Sequence, residues 1–172
     1  MEIDGKKKEF TPKKPLSSAV LFLVFNRLET TKQVFTSIRQ AKPTRFYIAS
    51  DGPRNNISDE VKKVEQVRSY ILENIDWECE VKTLFRDKNL GCKYAVSSSI
   101  DWFFENEEQG IILEDDCLPS KSFFWFCDDL LEKYKDNLKI GQICGCNFQR
   151  GVSRGKADYY FSVYGLIWGW AS

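Results

Sequence analysis

Gly110-Ile-Ile-Leu-Glu-Asp-Asp-Cys-Leu-Pro119 runs from a glycine through three apolar residues into three consecutive acids. The unbroken apolar run Ile111, Ile112, Leu113 suits a strand buried on both faces of a parallel sheet. Glu114, Asp115 and Asp116 then fall where that strand would leave the sheet. Adjacent carboxylates repel one another and tend to keep their protons unless a cation or hydrogen-bond donors stabilise the charge. In an extended chain Glu114 and Asp116 project to one side and Asp115 to the other. Such a group is either a solvated acidic loop or a cluster able to hold a hard divalent cation together with a polyol. Its strand-end position favours the second reading, because open α/β sheets bind ligands outside the carboxyl ends of their strands.

Working outward, the same grammar recurs upstream. Residues 19–25 are continuously apolar and predict a first buried strand; Asn26-Arg27 leaves it, and Thr30 or Thr31 can cap a helix to about Gln40 carrying Val34, Phe35 and Ile38. Residues 45–50 predict a second strand, closed by the turn signal Asp51-Gly52-Pro53. Ser58 can cap a helix to about Asn74, with Val61, Val64, Val67, Tyr70 and Ile71 at helical spacing. A third strand over 79–86 has Val81, Thr83 and Phe85 on one face. Asp87-Lys-Asn-Leu-Gly91 turns into a helix through Ala95, Val96, Ile100, Phe103 and Phe104, ahead of the acidic strand. Beyond that, Ser120 or Ser122 starts a helix to about Lys135, and residues 139–146 read as one more strand. Strand–helix repeats with long crossovers define an α/β fold, a mostly parallel open sheet with helices on both faces. One domain is expected over 19–172, preceded by a flexible leader over 1–18. The stretch 159–170 is so aromatic that it should be docked, paired with a partner in an oligomer, or continued by further chain.

Composition removes several classes of chemistry. The 172 residues are 42% hydrophobic and 15% aromatic, which supports a real core. Basic and acidic residues balance at 25 each, so no global attraction to nucleic acid follows. Histidine is absent, and with it every Ser-His or Cys-His pair and the usual nitrogen ligand for metals. Six cysteines, at 79, 92, 117, 127, 144 and 146, show no C-x-x-C spacing. Cys79, Cys117, Cys127 and Cys144 read as buried free thiols in a reduced, cytoplasmic setting. No apolar run is long enough to span a membrane. Lys6, Lys7, Lys8, Lys13 and Lys14 suit a peripheral contact with an anionic membrane surface.

No glycine loop of the P-loop or dinucleotide type follows the first strand, so anions must be bound by a metal, by side chains or by helix N-termini. Arg27, Asp51 and Glu114–Asp116 each follow a strand, and an open parallel sheet gathers them along one edge. With these motifs in order (Asn-Arg, Ser-Asp-Gly, Asn-Leu-Gly, Ile-Ile-Leu-Glu-Asp-Asp) the chain resembles the nucleotide-diphospho-sugar glycosyltransferases of the GT-A fold. Within them it is most similar to the N-acetylglucosaminyltransferase I-like group and its bacterial relatives, from about Pro15 to the last residue. The resemblance implies a metal-dependent transfer of a sugar, such as N-acetylglucosamine, from a UDP-sugar donor to a glycan or other hydroxyl acceptor, with inversion. It also implies roles. Arg27 would contact the nucleotide or its phosphates, Asp51 the uracil ring, and Lys93 the base or phosphates. Asp115 would hold the ribose, Asp116 would ligate Mn²⁺ or Mg²⁺, and Glu114 would reach the sugar hydroxyls.

The residues are compatible with that chemistry. A divalent ion bridging the diphosphate neutralises charge that builds as the anomeric C–O bond breaks, and one carboxylate with phosphate and water oxygens satisfies Mg²⁺ or Mn²⁺. The family's general base lies beyond the stretch matched by Gly165-Leu-Ile-Trp-Gly-Trp170, so the expectation is a donor-binding half with much of the acceptor half absent. Asp158 is the nearest remaining carboxylate and is not assigned. The alternatives are a non-catalytic nucleotide-sugar-binding fragment, a sugar nucleotidyltransferase-like protein and a phospho-receiver. A nucleotidyltransferase wants a glycine-rich basic loop after the first strand, which Phe25-Asn-Arg27 does not supply. A receiver carries its acid pair after the first strand, whereas these acids follow the fourth.

Overall fold

A computed structural model of the chain describes residues 10–148, 152 and 155–172. Four strand–helix units come first: β1 (Ala19–Val24), α1 (Leu28–Ala41), β2 (Arg45–Ser50), α2 (Glu60–Glu73), β3 (Glu80–Phe85), α3 (Gly91–Phe104), β4 (Gly110–Glu114) and α4 (Phe123–Tyr134). Two short strands, β5 (Ile143–Cys144) and β6 (Trp170–Ala171), complete one sheet in the order β3-β2-β1-β4-β6-β5. The first four strands are parallel, and β6 runs antiparallel to both β4 and β5. The fold is thus the mostly parallel α/β sheet with helices on both faces that the repeats imply.

The sequence alternates within its apolar strands, and the alternation sorts the core into two layers. Val20, Phe22 and Val24 of β1, Phe46 and Ile48 of β2, and Ile111 and Leu113 of β4 face α1, α2 and α4. Ala19, Leu21 and Leu23, Tyr47 and Ala49, and Ile112 face the other way, against Phe103 and its neighbours on α3. Because every residue of β1 is buried, the strand needs both layers. Tyr47 and Phe103 meet edge to face at 4.9 Å between ring centroids, so aromatic packing fills the thinner layer.

Several elements differ from the sequence expectation for physical reasons. Helix α1 begins at Leu28, directly after Arg27. Thr30 and Thr31 do not cap it; their hydroxyls bond back to the Arg27 carbonyl at 3.2 and 2.7 Å. Helix α2 is preceded by Asp59 in the left-handed region (φ 63°), not capped by Ser58. The strand expected over 139–146 shrinks to Ile143–Cys144. Its partner β6 was not anticipated, since two residues after a left-handed Gly169 (φ 73°) carry no periodic signal. Trp170 and Ala171 nevertheless dock the aromatic stretch into the sheet, and Gly110 and Ser172 exchange backbone hydrogen bonds of 2.8 and 3.1 Å. Tyr160, Phe161, Tyr164 and Trp168 remain exposed.

The leader is anchored before residue 19. Leu16 is fully buried, and Asp128 of α4 accepts hydrogen bonds from the amides and hydroxyls of Ser17 and Ser18. Lys14, half exposed, lies 3.0 Å from both Asp128 and Asp129 of α4. Lys6, Lys7 and Lys8 lie outside the described residues. Among the described residues, no helix is long and apolar enough to cross a membrane, and Cys127 alone of the thiols is fully buried, with Cys79, Cys117 and Cys144 only partly so.

Gly110 opens the decisive strand because nothing larger fits. A Cβ there would lie 2.3 Å from the ring of Phe103 and 3.0 Å from the Ala19 carbonyl. Gly110→Ala is therefore predicted to cost about 1–3 kcal/mol of stability through overpacking, read as a lower denaturant midpoint with an unchanged m-value.

Candidate functional site at the switch point of the sheet

Strand order reverses at β1. Its neighbour on one side is the next strand in sequence, β2, and on the other it is β4. The chain therefore leaves β1 and β4 in diverging directions and opens a crevice between their carboxyl ends. The register places Leu23 beside Glu114 and Val24 beside Ser50, so residues 25–27, 51–54 and 114–116 crowd one edge.

At that reversal Arg27 meets the acids. Its guanidinium donates to Asp115 Oδ1 and, at 2.9 Å, to Asp116 Oδ2. Arg27 is half exposed and Asp116 nearly so, whereas the Asp115 side chain is only 4% exposed. The second oxygen of Asp115, Oδ2, is buried and has no hydrogen-bond partner. The Phe25 amide adds only a minor stabilisation of that carboxylate. A buried, donorless carboxylate oxygen is costly, and burial raises the Asp115 pKa against the opposing pull of Arg27. Burial also raises Glu114, reinforced by the charges of Asp116 and Asp115. Burial, reinforced by the charges of Asp116 and Glu114, pushes the Cys117 thiol up to about 11, which disfavours the nucleophilic thiolate.

Asp51 is held differently. It is buried, and its carboxylate accepts from the amides of Gly52 (2.9 Å), Leu90 (3.0 Å) and Gly91 (3.1 Å) and from the Asn89 side chain (2.9 Å). Four donors fill a carboxylate's acceptor sites, so Asp51 clamps the Asn89-Leu90-Gly91 turn onto the end of β2. Gly52 makes the clamp possible, because a Cβ there would lie 2.5 Å from the Lys88 backbone. Lys93 sits in the first turn of α3, exposed, with Nζ 5.4 Å from the Tyr94 ring centroid. The structure thus joins Arg27 to Asp115 and Asp116 directly. Asp51 and Lys93 share the edge without bonding to that triad.

Two residues escaped the sequence reading. Glu60, fully buried, accepts from Asn26 Nδ2 (2.8 Å), the Arg54 amide (2.7 Å) and the Arg54 side chain. The Arg54 guanidinium holds its carboxyl down at about 2. Arg54 in turn lies 5.6 Å from the Phe25 ring centroid. Arg68, also buried, ties together the Ser50, Asp51 and Arg86 carbonyls at 3.4, 3.2 and 2.7 Å. Both look like ordinary helix charges in sequence; only the crossing of α2 over the strand ends gives them partners.

Among the described residues no three acidic or cysteine side chains converge closely enough to hold a metal ion. An ion at Asp116 would need most of its ligands from a bound molecule, which is the ligation Mg²⁺ and Mn²⁺ tolerate. Asp115 Oδ2 is unpartnered but closed off from solvent, so a ligand hydroxyl would reach it only with a local shift of the chain. A hollow of about 1450 Å³ lies elsewhere, beyond the turn at Ser120 and Ser122, and is lined by Phe123, Tyr134, Asp158 and Tyr164 among others.

No protein-family model matches the chain, and no curated protein matches its sequence. Among solved structures it is similar to the mannosyltransferase PcManGT from Pyrobaculum calidifontis in complex with GDP-Man and Mn²⁺, at 12% identity and a TM-score of 0.45. That likeness covers 77% of this chain and 39% of the mannosyltransferase.

The raised carboxyls make a signed prediction. Glu114 and Asp115 hold protons more tightly in the folded chain than in the unfolded one. Their stabilising contribution is full below the ordinary carboxylate range and is lost as pH rises through their raised values. Glu114→Gln should therefore raise the thermal midpoint at pH 7, with the gain vanishing towards pH 4. An equal gain at both pH values would contradict a charge-based origin.

Proposed function

We propose that the chain is the donor-binding domain of a metal-dependent glycosyltransferase that takes a nucleotide-diphospho-sugar, with UDP as the nucleotide. The observation that carries the reading is the direct meeting of Arg27 with Asp115 and Asp116 at the switch point of a parallel sheet. One cation and two carboxylates, one of them lacking a donor, suit a ligand that offers both phosphates and sugar hydroxyls.

In this reading Asp115 Oδ2 accepts from the ribose, Asp116 ligates Mn²⁺ or Mg²⁺, and Glu114 accepts from the transferred sugar. Arg27 and Lys93 supply positive charge to the diphosphate and nucleotide. The bound ion would stabilise the charge on the leaving diphosphate. Glu114 can engage a polyol hydroxyl through its carboxyl oxygens. Asp51 builds the wall of the base site through the Asn89–Gly91 turn. Reading uracil through Asp51 requires one amide of that turn to yield its place to the ring N–H. N-acetylglucosamine as the sugar, inversion and a glycan or other hydroxyl acceptor belong to the proposal by resemblance alone, and a cytoplasmic setting by the free cysteines.

Isothermal titration tests it. UDP is expected to bind with Mn²⁺ and to lose at least about tenfold in affinity with chelator or in Asp116→Asn, the reach of one metal–carboxylate contact. UDP should also outcompete GDP, ADP and CDP, with Asp51→Ala eroding the preference. Metal-independent UDP binding would remove Asp116 as a ligand. An unchanged base preference in folded Asp51→Ala would leave Asp51 as a clamp only.

A further inference from the structure

We propose that Arg27 is a built-in counter-cation that competes with the divalent ion for Asp115 and Asp116, and that its transfer from these carboxylates to a diphosphate couples nucleotide binding to metal binding. The inference rests on the nucleotide-sugar reading above and adds a role that reading does not contain. There Arg27 is a static phosphate contact; here it is the element that changes partners.

Three observations carry it. The Arg27 guanidinium is divided between carboxylates of consecutive residues, Asp115 and Asp116, which is where a divalent ion on Asp116 would have to sit. Asp115 is more than nine-tenths buried and one of its oxygens is buried without a donor, so the arginine supplies the cationic partner for a carboxylate that the fold does not otherwise satisfy. Finally, the residue has a fixed root and a free head. Its carbonyl accepts from the Thr31 amide and hydroxyl at 3.0 and 2.7 Å, while its side chain is 52% exposed. The head can leave without disturbing helix α1.

The competition follows from charge. A guanidinium and a divalent ion cannot share the same carboxylate oxygens, because like charges at contact distance repel strongly in a partly buried site. Metal alone must expel Arg27 into water, with only hydration in return. Metal with a nucleoside diphosphate offers the displaced guanidinium a bidentate phosphate partner. Each ligand therefore tightens the other, and linkage makes the effect reciprocal. Asn26, anchored on buried Glu60 at 2.8 Å, keeps the strand end in place while Arg27 moves.

The test is Mn²⁺ binding followed by the electron paramagnetic resonance signal of the free ion, with and without UDP, for the wild-type chain, Arg27→Gln and Arg27→Lys. Arg27→Gln is expected to bind Mn²⁺ alone about threefold to tenfold more tightly than wild type, the scale of removing one competing half-exposed ion pair. The same variant should show less tightening of Mn²⁺ by UDP. Arg27→Lys, which keeps the charge, should retain weak Mn²⁺ binding. Unchanged or weaker Mn²⁺ binding in folded Arg27→Gln would overturn the proposal and leave a purely structural ion pair. A wild-type chain that binds Mn²⁺ but not UDP would defeat the nucleotide reading, while the arm with metal alone still decides the competition. Should Arg27→Gln fail to fold, guanidinium NMR of the wild-type chain decides instead. Saturating Mg²⁺ should shift the Arg27 Nε–H resonance, and an unmoved resonance would overturn the exchange.

Discussion

The structure depends on β1 being paired on both sides by parallel strands. Every residue of β1 is buried, and its register with β2 and β4 brings three carboxyl ends level. A strand buried on both faces favours apolar side chains, so residues 19–24 are uniformly apolar and the polar chemistry starts abruptly at Asn26 and Arg27. The reversal of strand order at this same strand creates the crevice. Fold and candidate site are consequences of one constraint.

Electrostatics at the crevice is left unbalanced. Several buried charges elsewhere have full sets of partners: Glu60 has Arg54 and Asn26, Arg68 three carbonyls, Asp51 four donors. Asp128 Oδ2, like Asp115 Oδ2, lacks a hydrogen-bond donor, but Lys14 lies 3.0 Å from it. Asp115 and Glu114 are partly or largely buried and raised in pKa, and a single half-exposed arginine serves Asp115. Buried polar groups are normally paired, and perturbed carboxylates at a strand-end edge mark a candidate site. We therefore place the proposed ligand at the acidic edge.

Much of this was legible in sequence because the four strand–helix units each have an unambiguous period. The apolar runs at 19–24 and 110–113 could only be buried strands, and the acids could only fall at a strand end. The direct ion pairing of Arg27 with Asp115 and Asp116 was not legible, since Arg27 lies 88 and 89 residues from them and joins them through the register of β1 with β4. Asp51 was correctly placed at the edge, yet its acceptors are taken by a turn nearly forty residues away, a contact no local pattern encodes. The caps failed because threonine hydroxyls have a competing partner in the preceding turn. The short pair β5–β6 failed because two residues hold no periodicity, and glycine geometry at Gly145 and Gly169 sets their pairing.

The central claim is that the edge at the β1–β4 reversal, not the hollow beside Tyr134 and Tyr164, receives a nucleoside diphosphate with a divalent ion. Amide NMR of the chain titrated with UDP and Mg²⁺ tests it most directly. The account predicts that shifts concentrate at Phe25–Arg27, Gly52–Arg54, Asn89–Lys93 and Glu114–Asp116, and that Tyr134, Asp158 and Tyr164 stay unmoved. Shifts confined to the hollow, or none at saturating ligand, would contradict it.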